Sequence, residues 1–451
     1  MSLSCQNEID PGSPNSTDIK IEASFQTNKI SKDVEILSKE DAMSVAAIFA
    51  DANLTRSGSR QVRNVVAIND ETGNPLMYAV NFDEGYILVS ATRKYFPVLA
   101  EVESGNFDTE TTGTGADLFF SGYKAEITYA MEKDTSFVTT EWIPYVDYSS
   151  DKVAQTRMDD SYWDVLNEYW ADWIDEDCNV YFLREKPEAM PEEMYNRYCT
   201  YASDFMGEDA EYMTYAVIVE KYIERINSKG PFCLTTWDQG YPYNTKLDNP
   251  QENLGCTTIA AGQIMKYFRM PTSFNWDEMP RDTTNYVSAN FHELTNFLKA
   301  LHDAIGVHNG LASTDDVQEA LHRTYGYDVT RISHSLTRVM SSLNDNRPVY
   351  MRGNSPGSEV GHAWVCDGYK YTTPEYEYRL FTVPPGQTPV TRLEEAYRET
   401  YYDTSHLILN HMNWGWGGRY DGYYYDPNLF QFTTDPILNF VRNRKDLLIN
   451  Y

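Results

Sequence analysis

Hydrophobic and polar positions follow two rhythms along the first hundred residues. A polar stretch over 1–30, rich in Ser, Asn and Asp, predicts a flexible N-terminal segment. Ser38-Lys39-Glu40-Asp41 then leads into the apolar run AMSVAAIFA, which predicts a helix starting at Ser38 with acids in its first turn. Four short runs follow: Val62–Asn69, Leu76–Asn81, Tyr86–Ser90 and Val98–Val102. Gly73-Asn74 and Asp83-Glu84-Gly85 separate some of them, and the pattern predicts an antiparallel meander. From 117 to 226 the period turns helical. Trp163, Leu166, Tyr169, Trp170 and Trp173 recur at helical spacing and read as a buried stripe, and Asp209–Ile226 reads as a further helix. A turn is expected at Asn227-Ser228-Lys229-Gly230-Pro231, where the composition changes; all eight His lie beyond it.

A chain of 451 residues has room for two or three domains. No run approaches the ~18 apolar residues of a membrane-spanning helix. With 37 basic and 67 acidic residues, the net charge of −30 argues against a nucleic-acid partner, which calls for a basic footprint. The charge is uneven: 18 basic and 42 acidic residues fall in 1–226, a net of −24, and the rest carries −6. That split suggests two functional halves, although a solvated acidic surface explains it equally well. The six Cys show no CxxC and no zinc-ligand spacing. Cys178 and Cys199 are one candidate pair, left open. Cys5, followed by a polar stretch, fits a bacterial lipoprotein after signal removal; an incidental tail cysteine fits as well.

Four segments carry chemistry. After Gly255, the apolar positions Ala260, Ile264, Tyr267 and Phe268 share a helix face, which puts Cys256 at a helix N-terminus. Free amides and the macrodipole there favour a thiolate, although an inert buried cysteine also fits. Gly361-His362-Ala363-Trp364-Val365-Cys366-Asp367-Gly368-Tyr369 reads as a strand ending in a turn, and His362 can take and return the thiol proton. In His411-Met412-Asn413-Trp414-Gly415-Trp416-Gly417-Gly418, Asn413 can fix an imidazole and Trp414 and Trp416 can shield it; an aromatic hairpin is the plainer reading. In Trp237-Asp238-Gln239-Gly240, Gln239 can supply an oxyanion donor, or the segment is simply a turn. The order Gln, Cys on a helix, Gly-His on a strand, Asn-Trp is papain-like and fills every role thiol hydrolysis needs.

These segments, with NSKG at 227–230 and Asp421-Gly422-Tyr423, resemble the streptopain-type cysteine peptidases over about 219–451. The meander LMYAVNFDEGYILVSATRKYFPVLAEVESG is similar to that family's inhibitory propeptide. The resemblance implies an α+β fold: a papain-like two-lobe peptidase behind a propeptide with a small antiparallel sheet. It implies Cys256 as nucleophile, His362 as general acid/base, Gln239 as oxyanion donor, and Asn413 and Trp414 as the groups that orient and shield the histidine. No metal or organic cofactor is implied. Three departures stand out. Thr257 and Thr258 follow the cysteine in place of small apolar residues. Residues 369–406, with Pro384-Pro385-Gly386, are long enough for a flap over the cleft. Residues 117–217 exceed a minimal propeptide.

The expected organisation is a flexible segment (1–30), an inhibitory propeptide with an acidic helical extension (31–218) and a peptidase domain (219–451), cleaved near Ile218-Val219. The expected function is an endopeptidase of protein or peptide substrates, made as a zymogen held by its own propeptide. It would be extracellular or held at the cell surface, with a lipid at Cys5. An acyltransferase, or a catalytically silent binding protein on the same scaffold, are the alternatives.

Overall fold

The computed structural model of the chain describes residues 29–31, 33–52, 60–107, 115–132, 140–147, 168, 178–187, 190–206, 216–249, 251–284, 289–354, 361–382, 394–402, 407–426 and 442–451. Cys5, the Trp163–Trp173 stripe and Pro384-Pro385-Gly386 lie outside them.

Strand β1 (Ile30–Ser31) leads to helix α1 (Lys39–Ala52). Its start is a reciprocal cap: Asp41 N donates to Ser38 Oγ at 3.1 Å and Ser38 N to Asp41 Oδ2 at 2.8 Å. Strands β2 (Val62–Asn69), β3 (Pro75–Phe82), β4 (Tyr86–Ser90) and β5 (Val98–Val102) form the expected antiparallel meander. Helix α1 and helix α2 (Gly115–Glu132) lie against it, and Phe49, Val80, Leu88 and Phe119 share one core. Strand β6 (Val146–Asp147) closes this unit by pairing with β1.

Next come β7 (Asn179–Phe182), α3 (Glu192–Met206) and β8 (Val217–Lys229). Here the sequence reading is corrected twice. The helix expected to end at Ile226 is a strand from Val217, and the turn expected at Asn227 is its continuation. Val217, Ile218 and Val219 are fully buried between β7 and a later strand, so successive side chains are covered on both faces. A two-faced strand of β-branched residues shows no period-2 pattern, which is why it passed for a helix. The junction expected at Ile218-Val219 lies within β8. No disulfide joins Cys178, which is buried, to Cys199, which is half-buried.

The C-terminal half contains helices α4 (Cys256–Phe268), α5 (Ala289–Ile305), α6 (Thr314–Glu319) and α7 (Leu336–Asn344). Its strands are β9 (Asp328–Ser333), β10 (Val349–Asn354), β11 (Gly361–Thr382), β12 (Glu394–Tyr402), β13 (Ile408–Asn413), β14 (Gly422–Tyr425) and β15 (Arg442–Asn450). One sheet runs β2-β3-β4-β5-β14-β13-β11-β10-β15-β9, with β8 and β12 also on β11. The fold is α+β. Strand β11 does not end at Tyr369: a register shift between Cys366 and Gly368 bends it, and it runs on to Thr382. Its alternation sorts two cores. Ala363 and Val365 face Ile259, Ile264 and Leu298 of the helical lobe; Trp364 and Cys366 face the meander core. The described strands after Tyr369, the end of β11 and β12, form an arm with β8 and α3 around a third core of Tyr198, Ile218, Tyr376, Tyr378 and Leu380; the Pro384-Pro385-Gly386 part of the expected flap lies outside the described residues.

Candidate active site

Helix α4 begins at Cys256 because Gly255 takes φ 82°. A Cβ at Gly255 would lie 2.7 Å from Gly310 O, so only glycine fits this entry. No side chain caps the helix, leaving its first amides and dipole to the residues at its mouth. Ala363 N donates to Cys256 Sγ at 3.4 Å, which brings β11 across to the helix.

His362 Nε2 lies 2.9 Å from Trp414 O. A carbonyl only accepts, so Nε2 carries the proton and Nδ1 is left for Cys256. Trp416 Nε1 is 3.4 Å from the same Nε2, but a protonated nitrogen has no lone pair for it; Trp416 is a ring neighbour instead. Trp364 stacks on the imidazole at 6.4 Å and 8°. Burial opposes charge on both partners. Even so, the His362 charge and hydrogen bond and the Ala363 amide hold the Cys256 thiol below its ordinary value. Burial likewise opposes His362 protonation, yet Cys256, the Trp414 carbonyl and Asp117 of α2 raise it above the usual imidazole range. The arrangement favours a thiolate–imidazolium pair.

The structure thus brings Cys256, His362 and Trp414 together. Asn413 sits beside them but turns its side chain inward. Its Oδ1 accepts from Gln263 Nε2 at 2.9 Å and Gly415 N at 3.2 Å, and its Nδ2 donates to Thr235 O at 2.7 Å. The direct Asn413–imidazole bond expected from the sequence is replaced by the Trp414 peptide carbonyl, because both ends of the Asn413 amide are already engaged. Gln239 is tied to the same entry: Leu254 N donates to its carbonyl at 2.9 Å, two residues before Cys256. Two further residues were given no role by the sequence reading. Gln263, fully buried, breaks the apolar run of α4; Asp421 Oδ1 accepts from Trp414 N at 2.8 Å. Their signals were a polar residue on a buried face seven positions after Cys256 and an Asp following the Trp-Gly turn.

The inhibitor-like unit reaches the site through two joints. Strand β5 pairs with β14, Val102 opposite Gly422 and Glu101 opposite Tyr423. Phe119 of α2 packs edge-on against Trp414, Trp364 and Tyr424 at 5.3–6.0 Å. The Peptidase C10 family model matches residues 237–424, and the Spi protease inhibitor model matches residues 34–127.

The chain carries a Peptidase C10 domain behind a Spi-type inhibitor domain. These are the two domains of a streptopain-type cysteine peptidase zymogen, and the fold is α+β, as expected. The thiol protease/hemagglutinin PrtT of Porphyromonas gingivalis is 27% identical over 233 residues, 42% of this chain but only 22% of that protein. Streptopain of Streptococcus pyogenes is 20% identical over 407 residues, 86% of this chain and 83% of that one. A solved fragment of Prevotella intermedia prointerpain A covers 87% of this chain at 15% identity and a TM-score of 0.47. Among the described residues no three His, Cys, Asp or Glu are grouped to hold a metal ion, and no helix is long and apolar enough to cross a membrane.

Proposed function

We propose that the C10 domain hydrolyses peptide bonds of protein or peptide substrates through Cys256 and His362. The observation that carries this reading is the Cys256–His362 pair at the α4 entry, with Nε2 held by Trp414 O. The Cys256 thiolate attacks the scissile carbonyl carbon, and His362 Nδ1–H gives its proton to the leaving amine. Water then attacks the thioester carbon and gives its proton to His362, and the C–S bond breaks to return the thiolate. Gln239, with the amides at the α4 start, would donate to the developing oxyanion. Trp414 and Trp416 would exclude water from the imidazole.

In this reading the meander and α2 form the intramolecular inhibitor, seated by β-strand addition and the Phe119 contact. Secretion or a surface position, with lipid at Cys5, belongs to the same proposal; incorporation of labelled palmitate, lost in Cys5→Ala, tests the anchor. The peptidase reading is tested by intact mass over time in reducing buffer. Wild type should shed N-terminal mass and then cleave added peptide, and Cys256→Ala should do neither, a loss of about 10⁴-fold or more in kcat/KM. Equal processing and turnover by Cys256→Ala would overturn it.

A further inference from the structure

Asn413 does not touch His362, yet it holds the peptide that does. The Trp414–Gly415 peptide presents its C=O to His362 Nε2 at 2.9 Å and its N–H to Asn413 Oδ1 at 3.2 Å. Fixing the N–H of a planar peptide fixes its carbonyl. Asn413 Oδ1 is in turn met by Gln263 Nε2 at 2.9 Å, and Gln263 Oε1 accepts from Thr235 Oγ1 at 2.8 Å. Asn413 Nδ2 closes the circuit on Thr235 O at 2.7 Å. Gln263, Thr235 and Asn413 are all buried, with every polar atom of the two carboxamides paired.

Gln263 lies on α4 seven positions after Cys256, about two turns on and so on nearly the same face. The turn presses on that helix too: Gly415 has φ 71°, and a Cβ there would lie 2.9 Å from Ile259 Cγ2. Nucleophile and imidazole sit on different lobes, α4 and β11. The carboxamide circuit is the polar connection from the nucleophile's helix to the acceptor that aims the imidazole.

We propose that Gln263 is a positioning residue for the peptidase reaction, acting through Asn413 and the Trp414–Gly415 peptide to hold His362 in register with Cys256. The proposal rests on the Cys256–His362 reading above. A buried carboxamide pair would cost stability unless fully bonded, and a fully bonded pair accepts one geometry only. Leu at position 263 would fill the same volume and leave Asn413 Oδ1 half-satisfied and the peptide free to tilt.

The test follows the thiolate. Absorbance near 240 nm of the full chain, minus that of Cys256→Ala, is recorded over about pH 4 to 8; kcat and KM are measured after activation by a trace of added protease. Gln263→Leu and Thr235→Val should move the thiolate midpoint upward and lower kcat by roughly 10-fold or more, with KM within about twofold. Thr235→Ser, which keeps the hydroxyl, should restore both. Superimposed profiles and unchanged kcat, or Thr235→Ser behaving like Thr235→Val, would overturn the proposal. So would loss of folding in both Gln263→Leu and Thr235→Val, which makes the circuit a stability element. A wild-type chain with no thiolate signal below neutral pH would overturn the dyad reading itself, a result distinct from a signal that is present but unmoved by the variants.

Discussion

At the residue scale, the site depends on which atom meets His362 Nε2. A peptide carbonyl takes the place expected of the Asn413 side chain, and Asp421 holds the preceding Asn413–Trp414 peptide by accepting from the Trp414 amide. The His362 charge holds the Cys256 thiol below its ordinary value, and Cys256 holds His362 above its own, so the ion pair spans a wider pH range than separate groups would. Alkylation of Cys256 by iodoacetamide in the activated enzyme should therefore set in at lower pH than for an ordinary thiol. In His362→Ala it should rise only toward the ordinary thiol pKa of about 8.5. Asp421 gives a second pH signature. Burial pushes its carboxyl up to about 7, against the Trp414 amide and His411. The unfolded group ionises near ~3.9, so between about pH 4 and 7 the native state holds the proton the unfolded chain has lost. Its contribution to stability falls as pH rises through that window. Asp421→Asn keeps an acceptor for Trp414 N and should flatten this slope, read as the urea midpoint at pH 5 and 7.

At the element scale, the β5–β14 joint decides how firmly the inhibitor is seated. Gly422 lets the strands close, since a Cβ there would collide with Glu101 O. Beside it Glu101, only 1% exposed, is paired with Arg60 at 3.2 Å and with Lys370 of β11 at 3.0 Å. Removing one partner of a buried carboxylate costs about 2 kcal/mol or more. Lys370→Met should therefore loosen the inhibitor and speed activation by roughly 10-fold or more, with the activated enzyme's kcat unchanged. Equal activation rates would show that Phe119 packing carries the joint alone. The Ser38 cap of α1 and the four meander strands follow from local pattern: turn residues separate several of the strands and the cap is a four-residue motif. Strand β8 does not, because its register comes from β7 and β11 and the cover over Ile218 from α3.

At the scale of the whole molecule, the acidic half is two structures. The meander, α1 and α2 share a core that meets the peptidase sheet at one edge. β7, α3 and β8 belong to the arm on β11: Tyr198 OH donates to Tyr378 O at 2.8 Å, and Arg197 pairs with Glu399 at 2.6 Å. Strand β8 pairs with β11 from Val217 opposite Phe381 to Lys229 opposite Tyr369. Breaking the chain at 218–219 would require this strand to leave the sheet. Limited proteolysis of Cys256→Ala should spare 217–229, and the product that stays with the peptidase should start before Cys178. A stable product starting at Val219 would show that β8 opens more readily than its burial indicates.

Local chemistry settled much of this protein in advance. A glycine-led helix placed Cys256, a strand placed His362, and the order of Gln, Cys, His and Asn-Trp named the reaction class, because each of those signals lies within a few consecutive residues. What lay beyond reach depended on partners far away in the chain. The Asn413 amide was taken by Gln263, 150 residues earlier. The apparent helix ending at Ile226 became a strand because β11 supplied its hydrogen bonds. Hydrogen-bond partners and the second face of a buried strand are chosen only when the chain folds back on itself, and that choice set the Trp414 carbonyl, not the Asn413 amide, against His362 Nε2 and placed Val219 within a strand.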